Sequence, residues 1–276
     1  MKTDNFCLQV VPVADVVPHE DFDGSRTASL EEKLREEGYL QNPIMVATMD
    51  DGRYLELDGM NRLSAFRAMG IPTILAQVVD YANPDAFDLS SWVHLIQGES
   101  DGLLEHIGAL EHVALKQSDA DHVGYRYIRD DGLARICAVV EGKRVHLVGV
   151  NGDIISKVKQ LRALCSAIRG PITRDILPVR PSSYDIQELF TLYPENNLML
   201  IFPIFTQHQI LTVVKQGTVF PGGVTRHLIR PRCLGARVPL SLFSNDTSLE
   251  QQNRELDELL TCRRLRTYEE PTIQFE

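Results

Sequence analysis

Residues 58–62 read Asp-Gly-Met-Asn-Arg and follow directly on the apolar stretch Leu55-Glu56-Leu57. Leu63 and Phe66 come next at helical spacing, so the pattern predicts a strand, a turn at Asp58-Gly59 and a helix with Asn61 and Arg62 in its first turn. A helix start has unpaired backbone N–H groups and a partial positive charge, which suits phosphate oxygens. Gly59 would allow close backbone approach, Met60 and Asn61 would present their N–H groups, and Arg62 would add a forked charged hydrogen bond. An aspartate at the same place repels phosphate unless a cation lies between them. Two readings therefore stand side by side. Asp58 either caps the helix, as Asp commonly does, or holds Mg2+ against phosphate oxygens.

The elements that must position this turn can be read from its flanks. Residues 7–17 suggest a strand broken at Pro12, followed by an acidic loop. Ser29 with Glu32 forms a capping-box pattern for a helix that shows Leu30 and Leu34 on one face and stops at Gly38. Residues 43–49 and 53–57 read as strands around the hairpin signal Asp50-Asp51-Gly52, and the helix after Asp58 ends at Gly70 before a strand over 73–81. This gives β-loop-α-β-β-α-β, a compact unit whose two helices pack on one sheet. Residues 82–91 read as a connector. Further on come two strands around Glu141-Gly142, a helix capped by Asp153, and a helix, turn and buried strand over 184–205. A helix over 206–217, a Gly/Pro-rich loop over 218–232 and a polar surface helix over 248–270 complete the chain. The expected fold class is α+β: an N-terminal lobe over 1–85 and a second α/β lobe over 86–276.

Composition sets outer limits. With 276 residues, 43% hydrophobic and 24% charged, the chain can build one large domain or two lobes. The net charge is −10, and residues 1–85 hold seven Lys and Arg against fifteen Asp and Glu. Binding along a nucleic-acid backbone needs clustered basic residues, so DNA or RNA is not expected as the main partner. Cys7, Cys137, Cys165, Cys233 and Cys262 are odd in number and never spaced as C-x-x-C, which fits reduced thiols rather than disulfides or zinc. No stretch reads as a signal peptide or reaches the ~18–20 apolar residues of a membrane span, so a cytoplasmic protein is expected. His106, His112, His122, His146 and His208 show no metal spacing, and no G-x-x-x-x-G-K-[ST] phosphate loop occurs.

The order of strand, acidic loop, helix, Asn42-Pro43-Ile44, hairpin and Asp-Gly-x-x-Arg helix resembles the ParB/sulfiredoxin superfamily over roughly residues 7–80. Within it the residues discriminate. Sulfiredoxins place a nucleophilic Cys inside the motif, where this chain has Met60 and Asn61. ParB partition proteins carry a Gly-Glu-Arg-Arg type motif and a basic helix-turn-helix region, neither of which is present. The pattern is similar to the free L-serine kinases, which combine Asp-Gly-x-x-Arg with a catalytic Glu in the loop after the first strand; here these are Asp58, Gly59, Arg62 and Glu20.

That resemblance implies phosphorylation of free L-serine to O-phospho-L-serine with ATP or ADP and Mg2+, in members found with siderophore and diaminopropionate biosynthesis. It assigns Glu20 the hydroxyl proton and Asp58 the metal or phosphate; otherwise His19, Glu20, Asp21 and Asp23 form a solvated acidic loop. A free amino acid further needs a cation and hydrogen-bonding groups from the second lobe. Thr225, Arg226 and His227 in Pro221-Gly222-Gly223-Val224-Thr225-Arg226-His227 are the expected clamp, with Trp92 walling the pocket and His94 donating a hydrogen bond. The rival reading is a non-enzymatic, ParB-like nucleotide-binding regulator with a protein or DNA partner, which needs the phosphate seat but no base. Oligomeric state is not legible.

Overall fold

The computed structural model describes residues 6–22, 24–98, 100–119, 135–244, 246–264 and 266. His122 and residues 267–270 of the expected last helix lie outside these. In the N-terminal part, β1 (Cys7–Pro12), β2 (Val16–Val17), α1 (Gly24–Glu37), β3 (Tyr39–Leu40), β4 (Ile44–Thr48), β5 (Tyr54–Asp58), α2 (Met60–Ala68) and β6 (Thr73–Val79) follow one another. The sheet order is β1-β6-β4-β5-β2, with β4 parallel to β6 and antiparallel to β5. The expected order of elements is observed, with the short β3 added. One boundary differs. The first helix begins at Gly24, so Ser29 lies inside it and forms no capping box with Glu32. A tertiary tie holds the early turns, because the Thr27 hydroxyl donates to Asn61 Oδ1 at 3.4 Å and α1 packs along α2.

The central strand β4 explains how this sheet joins the rest. Side chains alternate faces along a strand. Ile44 and Val46 enter one apolar cluster with Leu34, Leu63 and Phe66 from α1 and α2, whereas Met45 and Ala47 enter a second cluster on the opposite face. That second cluster is shared with the second lobe, so the first sheet is buried on both sides.

The second lobe contains β7 (Phe87–Ile96), α3 (Ser100–Gly108), β8 (Val113–Asp119), β9 (Arg135–Glu141), β10 (Arg144–Val150), α4 (Ile154–Ala167), β11 (Ile172–Ile176), α5 (Ser183–Leu192), β12 (Leu198–Ile201), α6 (Gln207–Lys215) and β13 (Thr225–Ile229). Its sheet runs β11-β7-β12-β9-β10-β8, with β13 on the first half of β7. Asp153 caps α4 by accepting from the Ser156 N–H at 2.8 Å, as its sequence predicts. Two expectations are corrected. The connector ends before Phe87, where β7 begins, and the Gly/Pro-rich stretch contains β13, because five alternating residues there pair with β7.

The chain then returns to the first lobe through β14 (Val238–Pro239) and α7 (Leu249–Thr261). Val238, Phe243, Leu256 and Leu260 share the cluster of Leu63 and Phe66, so the last helix is part of the N-terminal core and not a surface appendage of a lobe over 86–276. Asn253 on this helix accepts from the Val10 N–H at 2.9 Å and donates to the Val10 carbonyl at 3.1 Å, which satisfies the outer edge of β1. Among the described residues no helix is long and apolar enough to cross a membrane.

Candidate active site

Asp58 is the last residue of β5 and pairs with Met45 just where the register shifts between Met45 and Val46. Gly59 then turns the chain with φ +116°, a conformation that side-chain-bearing residues rarely adopt. The glycine is also required by space: a Cβ there would lie 2.7 Å from Ile44 Cγ2 and 2.8 Å from Arg62 Nη2. Gly59 itself is the N-cap of α2 and makes no side-chain cap bond, and the first turn of the helix lines the cleft. This decides the first question raised by the sequence. Asp58 is not the cap. Its Oδ2 accepts from Arg62 Nη2 at 2.9 Å and from Arg232 Nη2. Burial alone would raise its pKa, yet the two guanidinium groups hold it below the ordinary carboxylate range.

Glu20 reaches the same cleft by a different route. The loop after β2 is zipped onto the segment before β13: Phe220 N–H donates to the His19 carbonyl at 2.8 Å, and Asp21 N–H donates to the Phe220 carbonyl at 2.9 Å. This bridge sets Glu20 beside Gly223, whose N–H donates to Glu20 Oε2 at 2.9 Å. Burial, with smaller contributions from Glu56 and Asp58, pushes the Glu20 carboxyl up to about 7 against the opposing pull of His19. A carboxylate near neutrality is suited to accept a proton at physiological pH. The acidic loop is therefore not simply solvated.

Behind Glu20 lies a buried polar network. His19 Nδ1 is 2.8 Å from Glu56 Oε2, and its Nε2 is 2.8 Å from Thr225 Oγ1. Burial alone would lower the His19 pKa, but the Glu56 charge and hydrogen bond raise it to about 9, so the imidazolium donates to both partners. His227 packs edge-on against it with ring centroids 5.2 Å apart and hydrogen-bonds the Tyr81 hydroxyl at 3.0 Å. Burial and the His19 charge press His227 down to about 3, so it is neutral.

The cleft between the lobes has a volume of about 770 Å³. One wall is the 58–62 turn with Arg26; the other is Trp92, Ile172, Thr173, Arg174, Gly222 and Gly223, with Glu20 and Asp21 between them. Glu20, Asp58, Gly59, Met60, Asn61, Arg62 and Trp92 thus come together as their sequence pattern suggests. The expected second-lobe clamp does not. Along β13 the side chains alternate, which turns Thr225 and His227 into the interior network. Arg226 faces the other way, but its guanidinium lies over Trp92, 4.8 Å from the ring centroid, and does not line the cleft. His94 is buried, does not line the cleft, and donates from Nε2 to the Gly223 carbonyl at 2.7 Å, so its hydrogen bond goes to the chain itself.

Arg174, His19, Glu56 and Arg232 were missed. Glu56 had a signal, a lone acid between leucines in an apolar strand, which calls for a buried partner. Arg174 and Arg232 had none, because the segments that carry them look like ordinary polar chain.

A family model described as the ParB N-terminal domain matches residues 4–91. The likeness extends over the rest of the chain. The ATP-dependent L-serine kinase SbnI of Staphylococcus aureus is 23% identical over 253 residues, covering 88% of this chain and 87% of that protein. The structure of SbnI with C-terminal truncation from Staphylococcus aureus superposes with a TM-score of 0.71 at 20% identity, covering 92% of this chain and 95% of that one. A free serine kinase in complex with AMP superposes with a TM-score of 0.66 at 17% identity, covering 88% and 95%. Both lobes, and not the ParB-type domain alone, have the fold of these kinases.

Proposed function

We propose that the protein is a free L-serine kinase that transfers a phosphoryl group from ATP, or from ADP, to the hydroxyl of L-serine. Its relatives carry this activity in their names, and a nucleotide is present in one of the similar structures. The observation that carries the reading to this chain is Glu20, a near-neutral carboxyl held in the same cleft as the start of α2 and the Arg62 guanidinium. The terminal phosphates rest on the N–H groups of the 59–62 turn, and Arg62 and Arg232 offset their charge. Serine lies between that turn and the Trp92 wall. Glu20 accepts the hydroxyl proton as Oγ bonds to the terminal phosphorus and the bond from that phosphorus to the bridging oxygen breaks. The nucleotide leaves one phosphate shorter.

Mg2+ fits the residues present only as part of a nucleotide complex. Among the described residues, no group of three or more His, Cys, Asp or Glu side chains is arranged to hold a metal. Both guanidinium contacts to Asp58 fall on Oδ2, and a magnesium ion takes one or two carboxylates together with phosphate oxygens. Asp58 is then its protein ligand, and the ion would neutralise charge developing on the phosphates.

Incubation with L-serine, Mg2+ and ATP or ADP, followed by mass spectrometry, is expected to reveal O-phospho-L-serine. Glu20→Gln separates this reading from a nucleotide-binding regulator, since it should spare nucleotide binding and abolish turnover. Nucleotide binding without phosphoserine in the wild type would refute the kinase and leave the regulator.

A further inference from the structure

We propose that Arg162, a helix residue outside the cleft, is a positioning residue for Glu20, because its guanidinium fastens together both strands of the bridge that carries the base. The proposal rests on the kinase reading and adds to it the side chain that fixes where the proton is taken.

Arg162 lies on α4, whose Val158, Leu161 and Leu164 are buried in the apolar cluster shared by the two lobes. Phe220 belongs to the same cluster, and its ring packs against Phe205 with centroids 4.7 Å apart. The helix and the Phe220 side of the bridge therefore rest on one core. Arg162 does not line the cleft. Its Nη1 donates to the Val219 carbonyl at 3.0 Å and lies 2.7 Å from Asp21 Oδ2. Val219 precedes Phe220 in the chain and Asp21 follows Glu20, so one nitrogen ties the two strands of the bridge to each other.

The bridge needs such a tie. A pairing this short does not support itself, and its backbone bonds are those of Phe220 N–H to the His19 carbonyl and Asp21 N–H to the Phe220 carbonyl. The seam is also close-fitting: a Cβ on Gly222 would fall 2.5 Å from the Asp21 carbonyl oxygen. Glu20 Oε2 takes its hydrogen bond from Gly223 N–H across the same seam, so the carboxylate follows any shift of Asp21 against residues 219–223.

Arg162 and Asp21 are 39% and 47% exposed, and ion pairs so placed contribute little to stability. Rate is more sensitive than stability, since misplacing a reacting group by about 1 Å can cost about 10²-fold. Loss of Arg162 should therefore fall on turnover and hardly on folding, which separates a positioning role from a structural one.

The test measures phosphoserine formation and denaturant unfolding for the wild type, Arg162→Ala, Arg162→Lys, Asp21→Asn and the double variant. Arg162→Ala should lower kcat about 10-fold, with the KM for ATP and the unfolding midpoint unchanged. Arg162→Lys should regain most of that loss, because both contacts come from one nitrogen and an ammonium can make both. Asp21→Asn, which spares the Val219 contact, should lower kcat by less. The double variant should fall no further than Arg162→Ala, since the two side chains act on one bridge. Wild-type kcat in Arg162→Ala, or additive losses in the double variant, would overturn the assignment while leaving the kinase standing. A lowered midpoint in step with kcat and no recovery with lysine would reduce Arg162 to a structural residue. Absence of phosphoserine from the wild type would overturn both readings. Should Arg162→Ala fail to fold, Asp21→Asn decides: unchanged kcat overturns the assignment, and lowered kcat at the wild-type KM for ATP and unfolding midpoint upholds it.

Discussion

The two walls of the cleft are built in different ways. The wall proposed to seat phosphate is five consecutive residues, Asp58 to Arg62, at one strand-to-helix junction. The wall proposed to face the acceptor is assembled from Trp92 on β7, Arg174 on β11 and the Gly222-Gly223 turn before β13, and it meets Glu20 through the bridge to Phe220 and the Gly223 N–H. A local wall depends on backbone conformation and on contacts a few residues apart. An assembled wall depends on strand register. Damage to the first should fall on nucleotide binding, and damage to the second on the acceptor.

The largest effect is expected where the walls meet. Glu20→Gln should lower kcat by about 10²- to 10⁴-fold while nucleotide affinity, followed by calorimetry, is retained; a variant with near wild-type turnover would remove the base from the mechanism. Next in size is Glu56→Ala, which strips the buried His19 imidazolium of its partner and should cost about 3 kcal/mol in denaturant unfolding. The paired glycine variants sharpen the contrast between the walls. Gly59→Ala, strained and set against Ile44 and Arg62, should cost about 1–3 kcal/mol and weaken nucleotide binding. Gly223→Ala, which must push the Arg174 guanidinium aside, should instead raise the KM for serine. If both variants failed in the same kinetic constant, the division of labour would be wrong.

The smallest effects are in pH. With the Glu20 carboxyl at about 7, kcat/KM should climb as pH rises through that value, since the base acts when deprotonated. The same shift has a stability sign. A carboxyl raised by folding favours the native state while protonated, and that contribution is lost as pH rises through about 7. Glu20→Gln mimics the protonated form, so it should be more stable than the wild type at pH 8 and equal to it near pH 4. A constant difference across that range would mean that Glu20 does not titrate as described.

Much of the N-terminal lobe was legible because its signals are local. The hairpin at Asp50-Asp51-Gly52, the helix stops at Gly38 and Gly70 and the turn at Gly59 each follow from a glycine with positive φ beside an apolar pattern. The last helix was not read correctly. Gln252, Leu256 and Leu260 form a stripe only one residue wide on an otherwise polar helix, and its burial depends on β1 lying alongside. The residues expected as a clamp in the second lobe lie apart from the cleft lining for a comparable reason. Calling 218–232 a loop hid the alternation that sends Thr225 and His227 inward and leaves Arg226 on Trp92.

By itself, then, the sequence determined the local build of one corner: a glycine turn into a helix at 58–62, an acid in the loop at 20, and the ParB-type order of elements around them. Only the tertiary structure decided that Asp58 binds two arginines instead of capping its helix, that Glu20 sits near neutrality, and that Arg174 closes the other wall. Chain neighbours meet because the backbone obliges them to. Glu20 and Gly223 are 203 positions apart, and they meet because a β-bridge and the buried hydrogen bond between His19 and Thr225 hold two sheets in one relative position, which no local pattern encodes.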